Sequence, residues 1–330
     1  MNQKHLKLIC TKLQLGSPDE TVISVSGGRG GHLMWRVNTE KGSYAIKQLA
    51  PDIDLNNEKM ITKYELSETI AYRFMQRGIS AISALEKSGK HLNIIENTGY
   101  LVYPWVEAHH LERNEISEIH AFKVAEILAR LHSINLSVPE IKAPRFDIHS
   151  NESIIEAIDR AVAFNCPFAK ILKENQSLIL TVNDSYLAVI PVLSENTVVT
   201  HGDLDQNNIL WDKAGQPILI DWESAKKMNP TREIVRTSLS WGGDSLSIYT
   251  LMLRTYIKSG GILNKNLIDA ALHAVFGSMV NWMLFNIEIV CTSDIKEKQD
   301  AGIEEIKQVL AAMVKLKILI PDLLKISENL

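Results

Sequence analysis

Apolar residues along the first hundred positions change their spacing at Gly16, from the period of a helix to that of strands. Residues 4–15 carry Leu6, Ile9 and Leu13 between lysines, a single apolar stripe closed by glycine, and predict a short amphipathic helix. Residues 22–25, 33–37 and 43–49 then alternate apolar with polar positions and are rich in β-branched and aromatic side chains. They predict three antiparallel strands, joined through the glycine run 27–31 and the turn 39–42. A helix over 58–77 stops at Gly78, and two more strands are expected at 91–95 and 99–103. Pro104, which lacks an amide donor, begins a short connecting segment with Trp105, Val106 and Glu107. The expected division is an N-terminal lobe over 1–103, a hinge over 104–107 and a C-terminal lobe over 108–330. In the last part Ala121, Val124, Ala125, Leu128 and Leu131 share one helical face, as do Ile303, Ile306, Leu310 and Met313, so the C-terminal lobe should be mainly helical.

The 330 residues, 45% of them hydrophobic, are enough for a sizeable core in two lobes. A formal charge of −4 provides no basic field for a phosphate backbone and argues against a nucleic-acid partner. Cys10, Cys166 and Cys291 lie too far apart for a disulfide framework or a zinc ligand pattern. Charges interrupt the first ten residues too often for a secretory signal, so a cytoplasmic location is expected. The uncharged stretch 270–287 contains His273, Ser278, Asn281 and Asn286, which are costly in lipid; a buried helix is expected there, and no membrane partner. No obligate protein partner is evident.

The chemistry concentrates in the run His201, Gly202, Asp203, Leu204, Asp205, Gln206, Asn207, Asn208, followed by Ile220, Asp221, Trp222 and Glu223. Residues 208–211 and 217–220 read as two short strands around a turn at 212–215, a hairpin that folds Asp221 back beside Asn208. A phosphotransferase needs one carboxylate to accept the proton of an attacking hydroxyl. It also needs an amide oxygen and a second carboxylate to hold magnesium against nucleotide phosphates. Asp203 suits the first role, Asn208 and Asp221 the second.

The pattern H-G-D-L-x-x-x-N followed by I-D-W-E resembles the signature of the aminoglycoside phosphotransferase and choline kinase superfamily, small-molecule relatives of the protein kinases. The resemblance implies an α+β, bilobal protein-kinase-like fold. Its N-lobe would be an antiparallel five-stranded sheet with one main helix, and its C-lobe mostly helical. It implies ATP and magnesium as cofactors, GTP remaining open, and a small-molecule hydroxyl as acceptor. His201 would then hold its loop rather than transfer protons, and Lys47, on the core side of its strand, would meet nucleotide phosphates and a helix carboxylate. Glu68, 21 residues on, is the expected partner, with Glu65 the runner-up. Gly27 and Gly28 would let backbone amides approach phosphate. Trp105 and Val106 would present main-chain groups to the adenine edge, although Trp105 equally suits a packing anchor. Asp205 and Glu223 are possible substrate contacts, and Glu223 equally suits assisting the metal or capping a turn.

Gly202 stands where regulated protein kinases place arginine, and Asp205 where serine/threonine kinases place lysine; an A-P-E anchor is also missing. A small acceptor follows. An aminoglycoside or aminocyclitol is favoured, with Asp205, Glu107, Glu112 and Glu223 as acids that would attract amines. Choline, another amino alcohol or a sugar are the alternatives, and a nucleotide-binding pseudokinase scaffold is the reading from outside enzymology.

Overall fold

The computed structural model describes residues 1–25 and 31–330. Gly27 and Gly28 therefore lie outside the described residues. The strands are β1 (Pro18–Val25), β2 (Leu33–Thr39), β3 (Gly42–Gln48), β4 (Asn93–Ile95), β5 (Thr98–Pro104), β6 (Ala108–His109), β7 (Val198–Thr200), β8 (Ile209–Asp212), β9 (Pro217–Leu219) and β10 (Lys226–Met228). The helices are α1 (Gln3–Leu13), α2 (Glu58–Met75), α3 (Glu118–Ile134), α4 (Asn151–Ala163), α5 (Ala169–Glu174), α6 (Gln176–Leu193), α7 (Pro230–Gly242), α8 (Leu246–Lys258), α9 (Ile268–Thr292) and α10 (Lys296–Glu328). This is a mixed α+β fold.

Two compact units result. The first joins Met1–Ser117 with Ile134–Glu140 and Val199–Lys226. Its five-stranded sheet runs in the order β1-β2-β3-β5-β4, each neighbouring pair antiparallel. Strand alternation sends Ile46, Tyr100 and Val102 to one face, where they meet Leu6, Ile9 and Cys10 of α1 together with Trp35 and Val37. Leu49 and Leu101 join Tyr64 of α2, Ala84 and Leu92 in a second cluster. Side chains of Asn2 and Asn57 cap the two helices, accepting from the amides of Lys4 and Lys59. Lys47 sits directly across from Leu101 and, by the same alternation, shares the α2 face.

The hairpin β8–β9 belongs to this unit because its far strand is stitched to the segment after α2. Leu219 donates to the Ser80 carbonyl at 2.9 Å, and Ile82 donates to the Leu219 carbonyl at 3.0 Å. A division by sequence at 104–107 leaves out this long-range pairing, which draws residues 199–226 to the sheet-bearing unit. β6 completes a small sheet on the other side of β8.

The second unit joins Glu118–Ser133, Ile141–Val198 and Lys227–Leu330. It is helical, with α4, α6, α7 and α10 all packed on α9. The expected buried positions of α3 are all buried, as are Ile306, Leu310 and Met313 of α10. α6 and the segment Lys265–Thr292 are apolar and long enough to cross a membrane by length and composition; half of the latter's most apolar window is buried within the unit. Its core includes one closed polar group: His132 Nε2–H donates to Glu233 at 3.0 Å, and the Tyr256 hydroxyl donates to His132 Nδ1 at 2.6 Å. Burial raises the Tyr256 hydroxyl pKa, and the Glu233 charge adds to the effect.

Gly277 of α9 has no side chain because Tyr186 of α6 occupies the space. A Cβ there would stand 2.5 Å from the tyrosine ring. Gly277→Ala is expected to destabilise the protein by about 1–3 kcal/mol through overpacking, measured by urea denaturation. Tyr186→Ala in the same chain should recover part of that loss relative to Tyr186→Ala alone.

Candidate active site

The loop after β7 is fixed by backbone contacts that leave little choice of residue. Gly202 adopts φ +78°, and a Cβ at this position would lie 2.3 Å from the carbonyl oxygen of Ser224. Only glycine satisfies both the left-handed conformation and that approach. The fully buried His201 donates from Nε2 to the Ile220 carbonyl at 2.9 Å, and its ring lies 4.6 Å from that of Trp222. Its Nδ1 is buried and meets no partner among the described residues. With its one proton held by a carbonyl, the imidazole ties the loop after β7 to the end of β9 and is poorly placed to exchange protons with a ligand.

Asn208 uses its amide in the same way. Its Nδ2 donates to the Asp203 carbonyl at 2.8 Å and to the Asp203 carboxylate at 3.1 Å. Both amide protons are thereby engaged, and Oδ1 is left as the group that accepts or ligates. The Asn208 carbonyl accepts from Ile220 at 3.0 Å, and β8 pairs with β9 through Ile209 and Leu219. The hairpin expected from the sequence is formed, and it sets Asn208 abreast of the residue preceding Asp221. Asp221 itself turns through a left-handed conformation, φ 58°, ψ 66°. The next residue, Trp222, is buried and stacks on Phe74 of α2 at 5.4 Å, which anchors the turn in the core.

Lys47 is the cation of the site. Its ammonium lies 3.3 Å from Asp221 Oδ1 and is also hydrogen-bonded to Glu223 Oε1. Burial favours the neutral amine, but the charges of Asp221 and Glu223 outweigh it and raise the lysine pKa. Burial likewise works against the Glu223 carboxylate; the neighbouring His32 ring and the Lys47 ammonium overcome it and bring its pKa down to about 2. The Ala50 amide donates to His32 Nδ1 at 3.0 Å, which leaves Nε2–H facing Glu223 at 3.8 Å. Tyr64 borders the same charges; burial and then the Glu223 charge push its hydroxyl up to about 12.

The pairing expected between Lys47 and Glu68 is not the one formed. Glu68 is buried, accepting from the Ala84 amide at 2.6 Å and from the Tyr103 hydroxyl at 2.7 Å. Both carboxylate oxygens are occupied there, while the turn after β9 brings two carboxylates directly to the ammonium. Glu65, the runner-up, accepts the amides of His91 and Leu92. Glu223 was open to several roles in the sequence, and the structure makes it the principal lysine partner. Contacts of His32 with Glu223 and of Tyr103 with Glu68 were not expected; the position of His32, directly after the glycine run at the mouth of β2, was the available signal for the first.

Other expected contacts are engaged locally. The Trp105 amide donates to the Ser43 carbonyl at 3.0 Å, its indole donates to Glu107 at 3.0 Å, and the Arg36 guanidinium lies 4.6 Å over its ring. Trp105 is thus a packing anchor of this unit. Val106 follows it and accepts from the Ala108 amide at 3.1 Å. Asp205 caps the short 3-10 turn Gln206–Asn208, accepting from the Asn207 amide at 2.8 Å.

Among the described residues no three His, Cys, Asp or Glu side chains gather as a metal cage. Magnesium does not need one: it is commonly held by one or two protein oxygens, completed by water and phosphate. The amide oxygen of Asn208 and the carboxylate of Asp221, 40% exposed, are a hard-oxygen pair of that kind, and they fit the ion.

The sequence profile of a family described as the phosphotransferase enzyme family, APH, matches residues 28–256. A search of curated proteins finds no match. Among solved structures, the spectinomycin phosphotransferase APH(9)-Ia, in complex with ADP and spectinomycin, superposes with a TM-score of 0.68. It is 14% identical over 96% of this chain and 99% of its own. Choline kinase LicA from Streptococcus pneumoniae gives 0.60 at 15% identity, over 95% of this chain and 100% of its own. The amicoumacin kinase hAmiN, bound to AMP-PNP, calcium and amicoumacin, gives 0.62 at 15% identity and 93% of both chains. These similarities establish a kinase-like fold.

Burial is the largest influence on Glu68 and raises its pKa from 4.5 to about 7, against the opposing hydrogen bonds and the Lys47 charge. A carboxyl whose pKa is raised on folding stabilises the protein below its unfolded pKa and loses that contribution as pH rises through the folded value. Between about pH 4.5 and 7 the wild type should therefore lose stability relative to Glu68→Gln, as read from urea denaturation at pH 5 and pH 8. Equal pH dependence of the two proteins would show that Glu68 stays ionised throughout.

Proposed function

Because the chain belongs to the phosphotransferase enzyme family, whose members phosphorylate small-molecule hydroxyls, we propose that it is an ATP- and magnesium-dependent kinase for an aminoglycoside- or aminocyclitol-like acceptor. One observation carries the catalytic part of this reading: Asp203, Asn208, Asp221 and Lys47 are joined by direct hydrogen bonds and one hairpin within a single unit.

In this mechanism Asp203 receives the proton of the acceptor hydroxyl as its oxygen bonds to the γ-phosphorus and the bond to the ADP oxygen breaks. The amide of Asn208 holds one Asp203 oxygen and leaves the rest of the carboxylate to orient the hydroxyl. Lys47, kept protonated by its carboxylate neighbours, supplies positive charge to phosphate oxygens. Asn208 Oδ1 and the Asp221 carboxylate would hold magnesium, which would supply positive charge to the nucleotide phosphates. His201 and Gly202 maintain the loop, and Val106 is the hinge position proposed to present its amide to the base, since the Trp105 amide is engaged by Ser43.

The fold likeness to a spectinomycin phosphotransferase supports the aminocyclitol acceptor, and the likeness to LicA supports choline or a related amino alcohol as the second reading. The acidic residues offer less support than the sequence suggested, because Glu107 is paired with Arg36 and Glu112 is in a capping box with Glu115.

ADP release from purified protein with spectinomycin, other aminoglycosides, choline and sugars, against a control without acceptor, identifies the substrate. Asp203→Asn should retain nucleotide binding and lower turnover by at least about 10²-fold, the lower range for a positioned base. Asp221→Ala should remove metal-dependent nucleotide binding, seen as loss of the extra thermal stabilisation that magnesium gives with ATP. Wild-type turnover in the first variant, or an unchanged magnesium response in the second, would overturn these roles.

A further inference from the structure

The helical unit contains a charge that no described residue satisfies. Arg232 lies in the first turn of α7 and is 7% exposed, its guanidinium 4.4 Å over the ring of Phe146. A guanidinium carries five N–H donors, and a buried one is ordinarily paired. Among the described residues none of these donors meets a hydrogen-bond acceptor and no carboxylate comes within 4.0 Å. Its neighbour Glu233 is bonded to His132 instead.

A second unpartnered group stands beside it. Tyr186 is 2% exposed, its ring held against Gly277, and its hydroxyl has no hydrogen-bond partner among the described residues. Phe146, whose ring carries the Arg232 guanidinium, packs against the core cluster that contains Tyr186, which brings the three side chains to one place; Asp147, exposed, follows Phe146 in the chain. Arg236 adds further positive charge near Arg232. Neither the guanidinium nor the hydroxyl belongs to the fully enclosed atoms without partners, so their polar tips remain reachable while their bodies are locked by packing.

We propose that Arg232, Tyr186 and Phe146 form a binding site for the carboxylate or phosphate group of a small molecule. The aromatic face fixes the plane of the guanidinium, which suits two parallel N–H donors to one anion, and the tyrosine hydroxyl supplies a third. Asp147 makes the edge unfavourable for a highly charged anion and suits a ligand that also carries a hydroxyl or amine. This site is a property of the helical unit and stands apart from the phosphotransfer reading.

Calorimetric titration of the full chain with inorganic phosphate and with malonate, at constant ionic strength, tests it without turnover. Wild type should bind at least one of them saturably. Arg232→Met, which keeps a long apolar side chain against Phe146, should weaken that binding by about tenfold or more, the loss expected for a charge-assisted hydrogen bond. Tyr186→Phe keeps the ring against Gly277 and should cost about threefold, so a folding defect in the arginine variant would not end the test. Lys47→Met should leave this affinity unchanged, which separates the site from any phosphate held by Lys47. In the ADP-release assay, inhibition by the bound anion that is competitive with the acceptor assigns the site to the acceptor's own anionic group; noncompetitive inhibition assigns it to a separate effector. The proposal is overturned if wild type binds neither anion below about 10 mM, or if binding survives Arg232→Met and disappears in Lys47→Met.

Discussion

The first unit is organised around a buried ammonium held between two carboxylates. Lys47 leaves the sheet on the side that faces α2, where water is scarce, and a charge in that position persists only with close partners. Asp221 and Glu223 provide them from a single turn. That one cluster joins β3 to the end of the β8–β9 hairpin and fixes where Asp221 stands. It also sets the charge states of the group: the lysine is kept protonated, and Glu223 is kept ionised. Loss of either carboxylate would leave the other alone with the cation, and loss of the lysine would leave the half-buried Glu223 and the exposed Asp221 without their shared counter-charge.

Around this cluster the chain uses backbone groups to remove freedom. His201 and Asn208 reach the same stretch of β9 and its end, one through Ile220's carbonyl and the other through its amide. Gly202 permits residues 201–203 to lie directly on Ser224, and Trp222 fastens the turn to Phe74. The carboxylate of Asp203 therefore does not depend on side-chain packing alone for its position. Preorganisation of this sort is what a positioned base requires, since orientation rather than intrinsic basicity supplies much of the effect in phosphoryl transfer.

The helical unit shows the complementary case. His132, Tyr256 and Glu233 form a closed polar group whose donors and acceptors match, and such a group serves to specify the packing of α3, α7 and α8. Arg232, one residue from Glu233, has no such match among the described residues although it is nearly as deeply buried. Two neighbouring charges on one helix, one satisfied and one not, separate structural from receptive chemistry within a single turn.

Much of this was legible from residue order. Period-two alternation located β2, β3 and β5, the glycine after α2 marked its end, and the spacing of Asn208 and Asp221 around a polar turn announced their hairpin. These are local properties, fixed by the alternation of side chains and the conformational demands of glycine and proline. The partner of Lys47 was not local: Glu65, Glu68 and Glu223 are all carboxylates, and only folding revealed that the two on α2 are occupied by backbone amides and a tyrosine hydroxyl. The same holds for the unit that claims residues 199–226, decided by hydrogen bonds to residues 80–82, and for the isolation of Arg232. Sequence by itself determined the elements of the first unit's main sheet, the family pattern and the residue types of the site, because these follow from short-range periodicity and spacing. Tertiary structure decided which acid meets which base, because hydrogen-bonding groups of equal chemistry compete for partners and distance alone selects among them.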